Sequence, residues 1–161
     1  MADESPPPES TAEALVFSMG KFVARFPTDR RYGKNHMWAL AVGDVWRCGL
    51  SAYAVRLLQD VYFLDWSLDA GAAVRERQAI GSIESSKAES DLFAPAAGRI
   101  ARFNEALLAD PSLINVDLYG RGWLFELAGD GAGLLSPADY LLHLEAAWPV
   151  AQRTIKGQFN D

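Results

Sequence analysis

Short apolar runs separated by glycine and proline turns constrain the fold of this chain more than any other feature. In residues 36–50, apolar side chains alternate with others on both sides of Gly43 and Asp44, which predicts a β-hairpin. Further strand-like runs occupy residues 61–64, 80–83, 92–94, 99–103 and 123–127. Many short strands joined by such turns predict antiparallel, mainly β packing.

Helical patterns are fewer and mostly short. Residues 52–59 predict one short helix, and Asn104 can cap another over residues 105–109. The strongest helix prediction covers residues 137–155, because Ser136 supplies a capping hydroxyl just before an apolar periodicity begins. One face of this helix would contain Leu141, Leu144, Trp148 and Ala151.

The N-terminal part of the chain divides into a tail and an extension. Residues 1–13 are rich in proline and glutamate and are expected to be disordered. Residues 14–26 fit either an amphipathic helix or extended chain, and Gly20 in their middle favours a strand. We therefore expect residues 14–161 to form a single domain, with an N-terminal extension and a C-terminal helix.

Charge and composition exclude several classes of partner. The formal charge of −6 disfavours nucleic acid and anionic membranes as partners. No apolar run approaches the ~20 residues of a membrane span, and the acidic N-terminus resembles neither a signal nor a transit peptide, so a cytoplasmic protein is expected. The single Cys48 excludes an internal disulfide, and the two histidines form no recognisable metal pattern.

Lys87 is the candidate functional residue. It lies in a polar segment, residues 84–91, between the strand-like runs 80–83 and 92–94. A lysine at such a hairpin tip has its amine in water, where an enzyme can modify it. The alternative is an exposed turn lysine that only keeps the hairpin soluble.

The wider sequence around Lys87 resembles a known family. The run Glu84-Ser85-Ser86-Lys87-Ala88, followed by Asp91, is similar to the lipoate-attachment hairpin of glycine-cleavage H-proteins. Similar residues continue downstream through 104–107, 111, 113–115 and 119–124, and more loosely upstream through 31–38, 49–51 and 61–65. The resemblance covers about residues 31–145.

This resemblance implies a fold, a cofactor and a role. The fold would be mainly β, a flattened barrel-sandwich hybrid of the lipoyl-domain type with short helices and a C-terminal helix. Lys87 would carry lipoate as an amide, and the strained dithiolane of that arm would accept a fragment from one enzyme and deliver it to another. The chain would then be a carrier and not an enzyme, with no catalytic residue of its own.

Six residues are candidates for recognition or for contact with the arm. The acids near the lysine serve either solubility or recognition by a lipoate-attaching enzyme. His36, which lies in the family's upstream motif, is either a packed or capping histidine or a catalytic group. The six are Glu84, Ser85, Ala88, Glu89, Asp91 and His36.

Met37 separates this chain from the usual H-protein pattern. The resemblance implies an acid at this position, where it would help hold an aminomethylated arm. A thioether cannot accept a charge-assisted hydrogen bond, so roughly 1.5–3 kcal/mol of such stabilisation would be absent. Met37 and the added segments 14–30 and 151–158 favour the lipoate-binding proteins of sulfur oxidation.

The sulfur-oxidation branch implies particular partners. These are a heterodisulfide-reductase-like complex, dihydrolipoamide dehydrogenase and a lipoate-attaching enzyme. The alternative is the H protein of the glycine cleavage system, which carries the aminomethyl group from glycine decarboxylase to aminomethyltransferase. A biotin carrier, whose lysine is typically flanked by methionines, and an unmodified partner-binding module are the remaining possibilities.

Overall fold

The computed structural model describes residues 13–159, and the surroundings of side chains up to residue 152. The predicted tail lies outside these residues, apart from Glu13. The strands are β1 (Ala14–Met19), β2 (Phe22–Pro27), β3 (Arg31–Tyr32), β4 (Met37–Val42), β5 (Val45–Leu50), β6 (Val61–Trp66), β7 (Ala73–Val74), β8 (Ala79–Ser85), β9 (Glu89–Phe93), β10 (Gly98–Phe103) and β11 (Phe125–Ala128). The helices are α1 (Ala52–Leu58), α2 (Ala106–Ala109), α3 (Leu113–Val116) and α4 (Pro137–Phe159).

The strands form three antiparallel sheets. A six-stranded sheet has the order β3-β4-β5-β11-β10-β7, a three-stranded sheet has the order β6-β8-β9, and β1 pairs with β2 alone. The larger two enclose a core of aliphatic side chains that includes Ile80, Ile83, Ile100 and Leu127. This is the predicted mainly β barrel-sandwich with short helices and a C-terminal helix, so the fold class is confirmed.

A second core is aromatic and lies outside the barrel-sandwich. It packs β1 and β2 against α1 and α4, and its rings include Phe26, Tyr53 and Tyr140. Tyr32 stacks on Tyr140 at 4.7 Å between ring centroids, and Phe26 meets Tyr140 edge-on at 5.3 Å. The N-terminal extension is therefore part of the folded structure that residues 13–159 form.

Most element predictions are confirmed. Residues 14–26 are extended, and Gly20 has the positive φ of 67° that the turn between β1 and β2 requires. The predicted β4–β5 hairpin, α1 and α2 are present, and Ser136 Oγ accepts a hydrogen bond from the Asp139 N–H at 3.1 Å at the start of α4.

Other expectations were wrong in extent. The polar segment 84–91 is mostly strand, because only residues 86–88 lie between β8 and β9. The sequence analysis did not predict β3, β7 or α3, and α4 extends four residues beyond the predicted 155. No helix within residues 13–159 is long and apolar enough to cross a bilayer.

Candidate functional site

The candidate site is centred on the turn that joins β8 to β9. Glu84 and Glu89 face each other as the last paired residues of the two strands. Lys87 lies between them in the three-residue connection and is exposed. Its backbone is thus anchored by two paired strands, while its side chain projects at the surface.

Ser85 fixes the shape of this turn from inside. The residue is 5% exposed, and its hydroxyl oxygen accepts hydrogen bonds from the N–H groups of Lys87 at 3.3 Å and Ala88 at 3.1 Å. The same hydroxyl lies 3.1 Å from the Ala88 carbonyl oxygen, to which it can donate. These bonds make Ser85 a cap of the turn. Its predicted contact with the arm or an enzyme stays a prediction.

Asp60 supports the turn from the other side. The Ser86 N–H donates to the Asp60 carbonyl at 2.9 Å, and the Asp60 N–H donates to Ser86 Oγ at 3.2 Å. These bonds join the turn to the segment between α1 and β6. Ser86, before Lys87, is thus bonded to Asp60, and Ala88, after it, is bonded to Ser85.

A groove of about 340 Å³ begins beside the lysine. Its volume falls in the range of about 300–1,000 Å³ usual for small-molecule sites. Ala88, which follows Lys87, is part of its wall, and α1 forms another wall. The lining residues are Asn35, His36, Met37, Leu50, Ala54, Leu57, Leu58, Ile83, Ala88, Glu89, Ser90, Asp91, Leu92 and Phe93.

Met37 and Asn35 shape the groove away from the lysine. Met37 lines it and is only 1% exposed, so a thioether packed into the aliphatic core stands where the resemblance implies an acid. Asn35 donates from Nδ2 to the carbonyl of Phe93 at 2.6 Å and accepts from the Met37 N–H at 3.3 Å. These bonds join the beginning of β4 to the end of β9.

His36 is held in an aromatic setting at the edge of the same groove. Its ring lies 4.5 Å from the Tyr53 ring and 5.5 Å from the His143 ring, and its Nδ1 is 2.9 Å from the Tyr140 hydroxyl. Burial, and secondarily His143, lower the pKa of His36 to about 4. The ring is therefore neutral at pH 7, and in the tautomer with Nδ1 unprotonated it can accept a hydrogen bond from the Tyr140 hydroxyl.

The outer face of the three-stranded sheet is acidic. Phe63 pairs with Glu84 and Glu84 with Glu89, while Asp65 pairs with Ser82 and Ser82 with Asp91. Four carboxylates and one aromatic ring that is 43% exposed thus share one face beside the lysine. We call this surface the acidic face; it consists of Phe63, Asp65, Glu84, Glu89 and Asp91.

The structure brings five of the six predicted residues into two overlapping groups and leaves Ser85 apart from them. Glu84, Glu89 and Asp91 belong to the acidic face, and Glu89 and Asp91 also border the groove with Ala88 and His36. Ser85 lies beneath the turn. Within residues 13–159, no cluster of His, Cys, Asp and Glu could hold a metal ion.

Several residues of the site were missed in the sequence analysis. Asp60 and the α1 residues Ala54, Leu57 and Leu58 reach the site from a distant part of the chain. Phe63 was treated only as a strand residue. Asn115 of α3, whose side chain bonds to the backbone on both sides of Asp60, was also missed. Its polar side chain among the apolar residues of α3 was the local sign of a structural role.

An exposed lysine on a fixed turn, beside a groove of small-molecule size and an acidic face, fits the lipoyl carrier that the sequence resemblance implies. The family model described as glycine cleavage H-protein matches residues 30–145. The chain belongs to this family, whose members carry lipoate covalently on a lysine and are carriers rather than enzymes.

Two relatives and one solved structure illustrate the similarity. The glycine cleavage system H protein of Beutenbergia cavernae is 44% identical over 115 residues, which are 71% of this chain and 92% of the relative. That of Thermus thermophilus is 40% identical over 124 residues, 74% of this chain and 96% of the relative. The crystal structure of a glycine cleavage system H protein from Mycobacterium marinum superposes with a TM-score of 0.65 and 37% identity, covering 71% of this chain and 95% of the other.

Proposed function

We propose that lipoate is attached to Lys87 and that the chain serves as the lipoyl carrier of a glycine cleavage system. The observation that carries the proposal is the placement of Lys87, exposed on a turn that Ser85 and Asp60 fix from two sides. A groove bordered by Ala88 begins next to it. Relatives named glycine cleavage system H protein support the pathway.

The residues present fit a lipoyl arm. The groove combines an apolar floor, from residues such as Leu50, Ile83 and Leu92, with a polar rim that includes Asp91. The alkyl part of the arm would lie along the floor, and an amine carried at its distal end would meet the rim. When attached, lipoate would supply a strained disulfide able to take up the aminomethyl group at glycine decarboxylase and yield it at aminomethyltransferase.

The chain's own residues would hold and present the arm. Ser85 orients the backbone of Lys87, and the two paired strands resist its displacement, so the arm swings from a fixed point. The acidic face would meet basic surfaces on a lipoate-attaching enzyme and on the enzymes of the cycle. Tethering would keep the cargo at high local concentration at each docked enzyme.

A second candidate is the sulfur-oxidation branch with a heterodisulfide-reductase-like complex and dihydrolipoamide dehydrogenase. The specific observation in its favour is Met37, which gives the groove a buried thioether where an aminomethyl cargo would profit from a carboxylate. The sequence analysis ranked this branch first. The comparisons favour glycine cleavage instead, because the relatives they find carry that name.

We further propose that residues 14–161 are one carrier domain working in the cytoplasm. The aromatic core supports this proposal, because it joins the N-terminal extension and α4 to the side of the domain that includes α1. Residues 1–13 would then be a tail outside the domain.

The decisive experiment compares the two pathways with one protein preparation. Lipoylated protein is mixed with glycine decarboxylase, aminomethyltransferase and dihydrolipoamide dehydrogenase, and release of labelled carbon dioxide from glycine is measured. Turnover comparable to that of an ordinary H-protein supports the proposal. Turnover at the level of a Lys87→Ala control refutes it and leaves the sulfur-oxidation candidate.

Met37→Glu tests the second candidate in the same assay, with Met37→Leu as the control that keeps the floor apolar. If glycine is the substrate, the carboxylate should lengthen the lifetime of the aminomethyl-loaded protein several-fold, because it can pair with the amine. Met37→Leu should leave that lifetime unchanged. Equal lifetimes for Met37→Glu and Met37→Leu would show that residue 37 does not determine which cargo the arm retains.

A further inference from the structure

The segment that supports the lysine turn contains a strained residue. Gln59, directly after α1, has φ 62° and ψ −131°, a conformation that residues with a Cβ rarely adopt. Asp60, which follows, makes both hydrogen bonds to Ser86. The position of the turn therefore depends on a bend that its own sequence does not favour.

Asn115 of α3 holds this bend on both sides of Asp60. Its Nδ2 donates to the carbonyl of Gln59 at 2.6 Å, and its Oδ1 accepts from the N–H of Val61 at 2.9 Å. One amide side chain thus satisfies a backbone acceptor before Asp60 and a backbone donor after it. This pairing requires both the oxygen and the nitrogen of the amide, so neither aspartate nor leucine could replace it.

The hydrogen bonds form a continuous path from α3 to the lysine turn. Asn115 fixes Gln59 and Val61, Asp60 between them fixes Ser86, and Ser86 precedes Lys87. The path ends on the residue before the lysine. Its effect on Lys87 would therefore be exerted through the placement of the lysine backbone.

We propose that Asn115 is a positioning residue for the modification of Lys87. It keeps the bend at Gln59 in its strained form, and the bend keeps the turn in the shape that a lipoate-attaching enzyme binds. The inference rests on the proposed function, because it takes Lys87 as the residue modified. Without Asn115 the turn would occupy the competent shape for only part of the time.

The first test is the kinetics of lipoate attachment with a purified lipoate ligase and intact-mass detection. Asn115→Ala should raise KM for the carrier about fivefold with little change in kcat, as expected when the competent turn is populated about a fifth of the time. Gln59→Gly should restore most of the loss in the Asn115→Ala background, because glycine adopts the bend without strain. Gln59→Gly alone should behave as the unaltered protein.

Asn104→Ala is the matched control. Asn104 is also an asparagine whose Nδ2 holds two backbone carbonyls, but they belong to Arg121, at 2.9 Å, and Trp123, at 2.8 Å, and lie away from the lysine turn. The variant should lower thermal stability without changing KM. An equal rise in KM for Asn104→Ala and Asn115→Ala, or no rescue by Gln59→Gly, would overturn the inference. Asn115 would then contribute only to the overall stability of the fold.

A second measurement is independent of the enzyme. Amide hydrogen exchange at Ser86, whose N–H is bonded to Asp60, should accelerate about tenfold in Asn115→Ala and remain unchanged in Asn104→Ala. Unchanged exchange at Ser86 in Asn115→Ala would contradict the inference. If the unaltered protein is not modified at Lys87 at all, the proposed function fails, and the exchange at Ser86 alone decides whether Asn115 holds the turn.

Discussion

Lys87 has an internal control in the same chain. Lys21 also lies in a turn between paired strands, β1 and β2, but the buried serine cap and the Asp60 support belong to the turn of Lys87. Exposure at a hairpin tip is therefore common to both lysines, and the surroundings of the turn differ. Only the surroundings can direct an enzyme to one of them.

We predict that a lipoate ligase adds one lipoyl group to this protein, on Lys87 and not on Lys21. Peptide mapping after co-expression measures the site. Lys87→Arg should abolish the modification and change the melting temperature by no more than about 2 °C, because its side chain is exposed. Modification of Lys21, or its persistence in Lys87→Arg, would contradict the assignment.

His36 predicts a pH dependence of stability. Its pKa in the folded protein, about 4, is below the ordinary value near 6.5, so the unfolded chain binds more protons between these values. The contribution of this group to folding stability should be complete above pH 6.5 and fall as the pH decreases towards 4, by about 2 kcal/mol between pH 7 and pH 5.

The measurement is urea unfolding at several pH values, with His36→Gln as the variant. Glutamine does not titrate, and its side-chain oxygen can accept a hydrogen bond from the Tyr140 hydroxyl, so the variant should lose less stability than the unaltered protein between pH 7 and pH 5. Parallel curves for the two proteins would show that another group causes the decline.

Residue-scale predictions from the sequence succeeded where the information was local. Lys87 and the acids of the hairpin could be recognised because they lie within eight residues of one another. Asp60 and Asn115 could not, since their bonds join residues 26 to 56 positions apart. A contact between distant segments leaves no periodicity or spacing from which it could be predicted.

At the scale of elements, the hairpin β8–β9 shows why the extent of strands was underpredicted. Glu84, Glu89 and Asp91 are polar, and polarity was taken to mean a turn. They are strand residues whose side chains lie on the solvent face, opposite Ile83 and Leu92 in the core. The two-residue strands β3 and β7 are too short to produce an alternation at all.

The acidic face predicts how the loading enzyme approaches. The double variant Glu84→Lys, Glu89→Lys should slow lipoate attachment about tenfold at low ionic strength and weaken its salt dependence, because exposed charges act mainly on the rate of encounter. Intact-mass spectrometry of samples quenched at successive times, at two salt concentrations, measures the rate of attachment and its salt dependence. The control reverses Glu105 and Asp130, two exposed acids outside this sheet. Identical kinetics for both double variants would assign the acids of the hairpin to solubility.

At the scale of the whole molecule, the N-terminal extension completes the aromatic core. Deleting residues 1–27 removes Phe17 and Phe26 from that core and uncovers Tyr53 and Tyr140. The melting temperature should fall by about 10 °C or more, since loss of one buried phenylalanine alone costs roughly 3–5 kcal/mol. Deleting residues 1–12, the predicted tail without Glu13, is the control and should leave the melting temperature unchanged. Equal melting temperatures for the two shortened proteins would mean that the extension contributes nothing to the fold.

The path from Asn115 to the lysine turn also sets an order of events during synthesis. Lys87 emerges from the ribosome before α3 does, so the nascent turn at first has no Asn115 to hold the bend at Gln59. An enzyme that binds the supported turn best would modify the chain most efficiently after it has folded past residue 116. Lipoate attachment would thus favour carriers that have folded, and a chain that misfolds in this region would acquire its arm more slowly.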